Sequence, residues 1–466
     1  MHFYKKAILS FCLLFASIAI SRAQYYNGSQ LTFGKSRVQY DPRLWSFYRL
    51  EKFDIYFYLG GKEIALYSAR YGDQFLKQLQ QQFDYTLDDR IQIVVYNKHS
   101  DFKESNIGLG KGDDYNIGGK TQVVGSKIFV YYEGDHRKLD AQIRAGLTEL
   151  MINHIMYGGN VKDAVKNSTL LTLPDWYSKG LVSYIAKPWD AELDDQIRDG
   201  VLSGKYKKFN HLTGDDAVLA GHSIWRYVAD MYGESVIPSI LYMTEISRNI
   251  ESGFLFILGI SLKSLSTDWL NYYTDKYATQ DSLRSLPIEQ TVLKKTKKNR
   301  VYQQLKVNPK GKSIAYVTDE LGQYKVWIYN RETGKRKRVL KREQKLDRIN
   351  DYSIPLIQWH PTGDYLTIVT ERKGEIKLIS YDVKNKKKEF DHILHFEKIL
   401  DFAYSEDNKK YVFSAIQNGQ TDIFVYNILS KTYEQITKDI YDDLFPRFVK
   451  NGSPNRLRSS STIPTP

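Results

Sequence analysis

The chain has 466 residues, a formal net charge of +13 and one cysteine, Cys12. This length is enough for two or three domains with separate hydrophobic cores. Because Cys12 lies in an N-terminal apolar stretch, the remainder of the chain excludes disulfides, a thiolate nucleophile and a cysteine–zinc site. The 36 tyrosines and the aromatic content of 14% favour strand-rich modules or interaction surfaces.

Residues 1–23 have the pattern of a signal peptide. The basic segment MHFYKK precedes the apolar segment AILSFCLLFASIAI, and the small-residue sequence after it predicts cleavage between Ala23 and Gln24. An exported protein without disulfides fits a bacterial envelope. We therefore expect the mature protein in the periplasm, or associated with the outer membrane, of a Gram-negative bacterium.

The positive charge predicts no nucleic-acid partner in that compartment. Loss of the signal peptide removes Lys5, Lys6 and Arg22 and lowers the formal net charge from +13 to +10. Anionic lipid, lipopolysaccharide or an acidic protein is a better match for this charge, so peripheral membrane association stays open. The alternative is that lysines and arginines are scattered over solvated faces.

One later apolar segment stands out, GFLFILGISL at 253–262. It has about half of the ~20 residues that a membrane-spanning helix needs. We expect it to be a buried helix or a loop that leads into one.

Strands and helices alternate in the first part of the chain. The segments 51–61, 90–102 and 127–134 have the apolar content of strands, and 63–87 has apolar residues at helical spacing. From about 139 to 285 the pattern is mainly helical, and Gly158-Gly159 predicts the end of its first helix. The stripe of that helix expected to face the core is Leu139, Ile143, Leu147, Leu150 and His154.

A basic connector at 286–300 leads into a region that has strand signals alone. Three segments between 301 and 450 repeat one plan, in which a turn precedes an apolar strand, a polar turn and further strands. The corresponding tyrosines Tyr329, Tyr381 and Tyr426 are 52 and 45 residues apart. These periods are typical of the four-stranded blades of a β-propeller.

A fourth repeat begins with DDLFPRFVKNGS and is followed by PNRLRSSSTIPTP. The composition of this ending predicts a disordered or aberrant tail at 451–466. Since three and a half blades do not close a ring, we expect the chain to be shorter than its architecture demands, as in a truncated gene.

Both halves resemble known families. The element order of the first half, with LPDWYSKGLVSYIA, AGHSIWRYVADMYGESVIPSILYM and GISLKSLSTDWLNYY, resembles the gluzincin-type peptidase domain, also called peptidase MA-like. The three repeats resemble the TolB-type propeller, and the combination is similar to exported envelope proteins of Bacteroidetes-like bacteria. The resemblance implies an α+β fold class. A gluzincin-like domain with a mixed sheet and a helical half is expected at 24–285, a basic linker at 286–300, and a partial all-β propeller of about three to four blades at 301–450.

The zinc chemistry of a gluzincin is missing from the matching positions. In that family an HExxH helix supplies two zinc-binding histidines and a glutamate that activates water, and a downstream glutamate is the third ligand. Aligning Leu147-Thr148 with the Leu-Thr of HELTH puts Ala145 and Glu149 at the histidine positions and Gly146 at the water-activating position. Lys179 of WYSKG stands at the third ligand. The resemblance therefore implies a pseudoenzyme without catalytic residues or a cofactor.

A rebuilt zinc site is the alternative, with His136, His154 and His222 as the histidines that could approach the old centre. Against it, Glu149 and His154 lie about 140° apart around a helix and do not share a metal easily. Lys179 has two further interpretations: an ion pair with Glu149 in place of the zinc bridge, or a site for an anionic ligand in the old cleft.

The predicted function is non-catalytic binding. We expect a scaffold in envelope assembly or translocation, whose vestigial cleft holds a peptide or protein segment while the propeller recruits an envelope protein. The alternatives are a zinc metallopeptidase with unrecognised ligands and a truncated copy without function. The sequence leaves the identity of the partner and the oligomeric state open.

Overall fold

The computed structural model has an N-terminal unit of sheet and helices, followed by a region built from strands. The described residues are 43–105, 122–124, 127–158, 171–282, 284–285, 292–293, 296–297, 300–345, 351–392, 396–449 and 457–462. The predicted signal peptide at 1–23, the cleavage site between Ala23 and Gln24, and residues 286–291 of the expected linker lie outside the described residues.

A mixed five-stranded sheet in the order β1-β2-β3-β5-β4 forms one layer of the N-terminal unit. Strands β2, β3 and β5 run parallel, and β1 and β4 pair antiparallel at the edges. Strand β3, IQIVVY, is almost continuously apolar because both of its faces are buried, as is typical of a central parallel strand. The strands are β1 (Ser46–Arg49), β2 (Phe53–Phe57), β3 (Ile91–Tyr96), β4 (Gln122–Val124) and β5 (Lys127–Tyr131).

Most of the helices pack on one face of this sheet and on one another around one apolar core, and α2 (His99–Glu104) packs on the other face, where Phe102 joins a smaller apolar cluster. The predicted strands within 51–61, 90–102 and 127–134 and the predicted helix within 63–87 are confirmed. The helices are α1 (Lys62–Phe83), α2 (His99–Glu104), α3 (His136–Tyr157), α4 (Asp175–Ala186), α5 (Ala191–Leu202), a 3-10 helix (Lys205–His211), α6 (Gly214–Tyr232), α7 (Val236–Ser247), α8 (Ile250–Leu258) and α9 (Leu262–Asp281).

Helix α3 begins after a capping residue and ends at the predicted glycine. The side chain of Asp135 caps its N-terminus, which satisfies a backbone N–H that has no partner inside the helix. Gly158 ends it with a φ of +86°, a conformation that glycine adopts without strain. The side chain of His154 is half-buried. The other members of the predicted stripe are in the core: Leu139, Ile143, Leu147 and Leu150.

The three predicted repeats form three four-stranded antiparallel sheets in which consecutive strands are neighbours. The first repeat sheet is β6 (Val301–Val307), β7 (Ser313–Glu320), β8 (Gln323–Asn330) and β9 (Arg336–Arg342). The second is β10 (Leu356–Trp359), β11 (Tyr365–Arg372), β12 (Glu375–Asp382) and β13 (Lys388–His392). The third is β14 (Lys398–Tyr404), β15 (Lys410–Gln417), β16 (Gln420–Asn427) and β17 (Tyr433–Gln435).

The repeat sheets stack face to face in chain order. Val317 and Val326 of the first sheet share an apolar cluster with Ile368 of the second, and Val369 of the second shares another with Phe413 of the third. Alternating side chains of the second sheet thus enter two different cores, one on each face. This is how the sheets of a β-propeller pack.

A two-stranded sheet follows the third repeat. Strand β18 (Asp442–Phe448) is the strand predicted to open the fourth repeat, and β19 (Leu457–Thr462) pairs with it antiparallel. The latter strand lies within the segment 451–466, whose other residues lie outside the described ranges, and the expectation of a disordered or aberrant tail there stays a prediction.

The apolar segment at 253–262 spans the end of α8 and the start of α9. The expectation that it is buried is only partly right, since Phe254 is buried whereas Leu255 and Phe256 are 46% and 68% exposed. Among the described residues, no single helix is long and apolar enough to cross a membrane. Helices α8 and α9, which are bent by 73° at their junction, meet that criterion as a pair.

Candidate functional site

The predicted protease centre lies where α3 packs against α4. Ala145 and Gly146 are both buried in the interior of α3, and Ala145 belongs to the apolar core of the N-terminal unit. A methyl group and a hydrogen atom leave this part of the helix without a side chain that could bind a metal or a water molecule. The positions instead allow neighbouring apolar groups to pack against the helix.

The WYSKG segment places α4 in close contact with α6. Trp176 is 1% exposed and sits in the core. Gly180 and Gly221 lie at the crossing of the two helices. A Cβ atom added to Gly221 would lie 1.9 Å from the carbonyl oxygen of Trp176, and one added to Gly180 would lie 2.6 Å from the Cα of Gly221. The glycine of this segment is therefore explained by helix–helix packing.

Lys179 lies on the half-buried part of α4. Its ammonium group is 3.0 Å from the carboxylate of Asp175, one turn earlier on the same helix. Glu149, at the position aligned with the second histidine of HExxH, is also half-buried. The ion pair of Lys179 with Glu149 and the anion site at Lys179 both stay predictions.

His222 is a buried side chain of α6. Its Nδ1 lies 2.9 Å from the Oγ of Ser183 on α4, and its ring packs edge-on against Tyr184 and Trp189. Burial lowers the pKa of His222 to about 3, with a smaller contribution from the positive charges of neighbouring basic side chains. His222 is therefore neutral at physiological pH, and it serves the packing of α4 against α6.

His136 lies at the start of α3, against the two-stranded sheet at the far end of the repeats. Its backbone N–H donates a hydrogen bond of 2.6 Å to Asp442, and its Nδ1 lies 2.9 Å from both carboxylate oxygens. The hydroxyl of Tyr132 donates a further bond of 2.6 Å to the same carboxylate and lies 3.0 Å from the hydroxyl of Thr421. We call these four residues the Asp442 clamp. It fixes the first turn of α3 to the repeat sheets.

The three histidines proposed for a rebuilt metal site occupy different surroundings. His136 binds Asp442, His222 binds Ser183, and His154 has its Nε2 4.0 Å from the carboxylate of Asp89 on the surface. Within the described ranges, the His, Cys, Asp and Glu side chains form no group of three or more that could hold a metal ion.

A second buried ionic contact joins the two halves near α2. The ammonium group of Lys398 in β14, which is 3% exposed, lies 3.2 Å from Asp351. The Nδ1 of His99 in α2 lies 3.5 Å from the same carboxylate. Burial alone would raise the pKa of Asp351, but Lys398 and His99 together hold it well below its ordinary value. We call Lys398, Asp351 and His99 the Lys398 cluster.

Apolar contacts lie between these two polar groups. Ile416 of β15 belongs to the apolar core of the N-terminal unit, and Leu400 packs against that core. A Cβ atom added to Gly134 would lie 2.3 Å from Leu400, and one added to Gly419 would lie 2.6 Å from Ile64. The two halves therefore share one continuous core at their junction.

Sequence reasoning missed the acidic and basic residues of the junction. A signal was present for Lys398, which interrupts the apolar strand segment that surrounds it, and for Asp442, which begins a strand. A charged side chain in a buried strand needs a partner of opposite charge. The sequence does not show which one.

A cavity of about 400 Å³ opens between the second and third repeat sheets. The hydroxyl of Tyr404 lies 2.5 Å from that of Thr367 across the two sheets and 3.0 Å from that of Tyr411. The rim carries Tyr365, which is 38% exposed, and Glu389. Tyrosines of this kind offer a ligand apolar ring faces together with polar hydroxyls.

No family model matches the chain, and a search of curated proteins finds no significant match. Several solved β-propeller structures are similar to part of it. TolB from Acinetobacter baumannii is 17% identical over 30% of this chain, with a TM-score of 0.24, and this chain spans 32% of that protein.

Two further structures show the same partial similarity. A protein assigned as TolB from Agrobacterium tumefaciens is 14% identical over 35% of this chain and 71% of its own, with a TM-score of 0.25. The β-propeller domain of the Trilobed protease from Pyrococcus furiosus is 15% identical over 32% of this chain and 46% of its own, with a TM-score of 0.25. Similarity of part of a fold does not by itself give a function.

Proposed function

We propose that the chain is a non-catalytic scaffold of the periplasm that binds another envelope protein during envelope assembly or translocation. The observation that carries the proposal is the Asp442 clamp. The helix that supplies the zinc ligands in gluzincins here begins with a histidine whose backbone N–H and ring nitrogen both bind Asp442 of the two-stranded sheet that follows the repeats. In this protein, the start of α3 therefore contacts the second half of the chain.

The side chains at the other motif positions support this proposal. Zinc requires nitrogen, sulfur or carboxylate ligands, and a water molecule bound to zinc requires a base to receive its proton. Ala145 and Gly146 supply neither, and the ammonium group of Lys179 repels a cation. His222 keeps its ring within hydrogen-bonding distance of Ser183 in the core. No cofactor is part of the proposal.

The cavity between the second and third repeat sheets is the proposed binding surface. Its Tyr404 and Tyr411 are held in place by hydrogen bonds between hydroxyls, so a partner would meet an ordered surface. A segment of an envelope protein with an apolar or aromatic side chain fits this lining. The vestigial cleft of the N-terminal unit is a second place where such a segment would bind.

Zinc content and peptide hydrolysis by the whole mature chain test the proposal. We expect much less than one zinc ion per chain by elemental analysis, and no peptide hydrolysis that chelators abolish. The variants His136→Ala and His222→Ala remove the two buried candidate ligands, and His211→Ala, an exposed histidine, is the matched control. About one tightly held zinc ion per chain that either of the first two variants releases would overturn the proposal in favour of a metallopeptidase.

A further inference from the structure

A second cavity, of about 410 Å³, lies far from the motif positions, where the 3-10 helix, α8 and α9 meet. Its lining is basic. Lys207 and Lys208 of the 3-10 helix and Lys263 of α9 surround it together with His211, and Glu251 of α8 is the acidic residue that lines it. We call the three lysines the lysine rim.

The charges of the lysine rim are not neutralised within the described part of the chain. Lys207, Lys208 and Lys263 are exposed, and they take part in no ion pair with a described carboxylate. Lys205, on the same 3-10 helix, differs in that its ammonium group lies 2.6 Å from Asp216. Three ammonium groups around one cavity form a surface of positive potential that attracts anions.

Exposed apolar side chains stand beside the lysine rim. Leu255 follows Glu251 by four residues on α8, so both lie on the same face of the helix, and Leu255 is one turn from the cavity. Leu255 is 46% exposed, and Phe256, which lies about 140° around the helix from Glu251, is 68% exposed. Phe254, fully buried, anchors the opposite side of α8 in the core. The apolar side chains therefore project from a fixed helix.

We infer that this surface binds an anionic lipid bilayer, with α8 lying in the plane of the membrane interface. Leu255 and Phe256 would enter the boundary between headgroups and acyl chains, and the lysine rim would contact lipid phosphates. Apolar side chains beside unpaired lysines are the combination that places a helix at such an interface. Charge complementarity is what favours a bilayer of anionic lipid over a neutral surface, since each lysine near it contributes about 1 kcal/mol. The inference goes beyond the proposed scaffold function and does not depend on the cavity between the repeat sheets.

Co-sedimentation of the whole mature chain with lipid vesicles tests this inference. Vesicles of phosphatidylcholine alone are compared with vesicles that also contain phosphatidylglycerol, at one ionic strength. We expect binding to the anionic vesicles that weakens with added salt and much weaker binding to the neutral ones. Equal binding to both kinds of vesicle, or binding to neither, would overturn the inference.

Two sets of substitutions locate the surface. Replacing Lys207, Lys208 and Lys263 together by alanine should lower the affinity for anionic vesicles roughly a hundredfold, about fivefold for each lysine. The double variant Leu255→Ser, Phe256→Ser should lower it about tenfold or more through the loss of apolar burial. Circular dichroism of each variant checks that the helices are retained, as expected for exposed positions.

Matched controls come from the repeat sheets. Lys386→Ala with Lys387→Ala removes two exposed lysines from a turn of the second repeat sheet, and Leu429→Ser removes a side chain that is 94% exposed in the third. Both controls should bind anionic vesicles as the unmodified chain does. If the Lys386 and Lys387 variant lost as much affinity per lysine as the variants of the lysine rim, binding would reflect scattered charge and the proposed surface would be wrong.

Discussion

The interior of the N-terminal unit and the junction between the two halves are stabilised in different ways. In the interior, apolar side chains and glycines pack closely, and even the buried His222 is neutral and bound to a hydroxyl. At the junction, the Asp442 clamp and the Lys398 cluster bury carboxylates against histidine and lysine side chains. The stability of a packed interior depends on how well the shapes of its side chains fit together. The stability of a buried ion depends on a partner of opposite charge.

The difference has a consequence for how each region responds to substitution. In the interior, what matters is the volume added or removed at a position. At the junction, removing one member of an ion pair leaves the other as an uncompensated buried charge. The junction, which also contains apolar contacts, is therefore the region in which we expect loss of a single charged residue to be most costly.

Two substitutions are expected to lower the stability by about 3 kcal/mol or more, and the first lies at the crossing of α4 and α6. The variant Gly221→Ala should lower the free energy of unfolding by about 3 kcal/mol or more, because the added Cβ would lie 1.9 Å from a backbone carbonyl oxygen that has no room to move. Unfolding in urea, followed by circular dichroism, measures the change.

A matched control for this variant is Gly72→Ala, in the middle of α1. Its added Cβ would lie 3.5 Å from the nearest atom, an ordinary contact distance. Here we expect stabilisation of about 0.5–1 kcal/mol, since alanine favours a helix over glycine. Similar effects at both glycines would show that close packing does not define the interior.

The next prediction concerns the free energy of unfolding after substitution in the Lys398 cluster. The variant Lys398→Ala leaves Asp351 buried without its ammonium partner and should lower the free energy of unfolding by about 3–5 kcal/mol. The double variant Lys398→Met, Asp351→Asn removes both charges and should recover part of this loss. Urea unfolding of the two variants and of Lys387→Ala, an exposed lysine of the second repeat sheet, makes the comparison. A loss in Lys398→Ala no larger than that in Lys387→Ala would contradict the role of the cluster.

The elements of both regions could be predicted from the sequence, because their apolar patterns are local. Helix α3 shows its core stripe and its glycine stop, and the repeat sheets show their period of tyrosines and turns. The contacts across the junction could not be predicted. His136 and Asp442 are 306 residues apart, and no local pattern links them.

The surroundings of the histidines in the predicted site could not be predicted from the sequence either. His136 and His222 were candidate zinc ligands because a sequence gives the residue type and not its surroundings. Burial next to Ser183 and the approach of Asp442 decide what these side chains do, and both are set by tertiary packing. The lysine rim could not be predicted from the sequence for the same reason, since Lys207 and Lys263 are brought together by folding alone.

The last effect is a dependence of stability on pH at the junction. Glu397 precedes β14, and its Oε1 accepts a hydrogen bond of 3.1 Å from the backbone N–H of Asn418. Burial raises the pKa of Glu397 to about 7, although the nearby positive charge of Lys98 opposes the rise and Asp101 adds to it. In the folded chain this carboxyl group therefore holds its proton at higher pH than in the unfolded chain.

The sign of the effect follows from proton linkage. The ordinary pKa of a glutamate side chain is 4.5, and that of Glu397 in the folded chain is about 7. Between these two pH values the folded state binds more protons at Glu397 than the unfolded state does. The free energy of unfolding should therefore fall as the pH rises through this window. The variant Glu397→Gln keeps the shape and neutrality of the protonated side chain, so its stability should decrease less over the same window. Thermal unfolding of both proteins across the window measures the difference, and parallel curves would show that Glu397 does not titrate there.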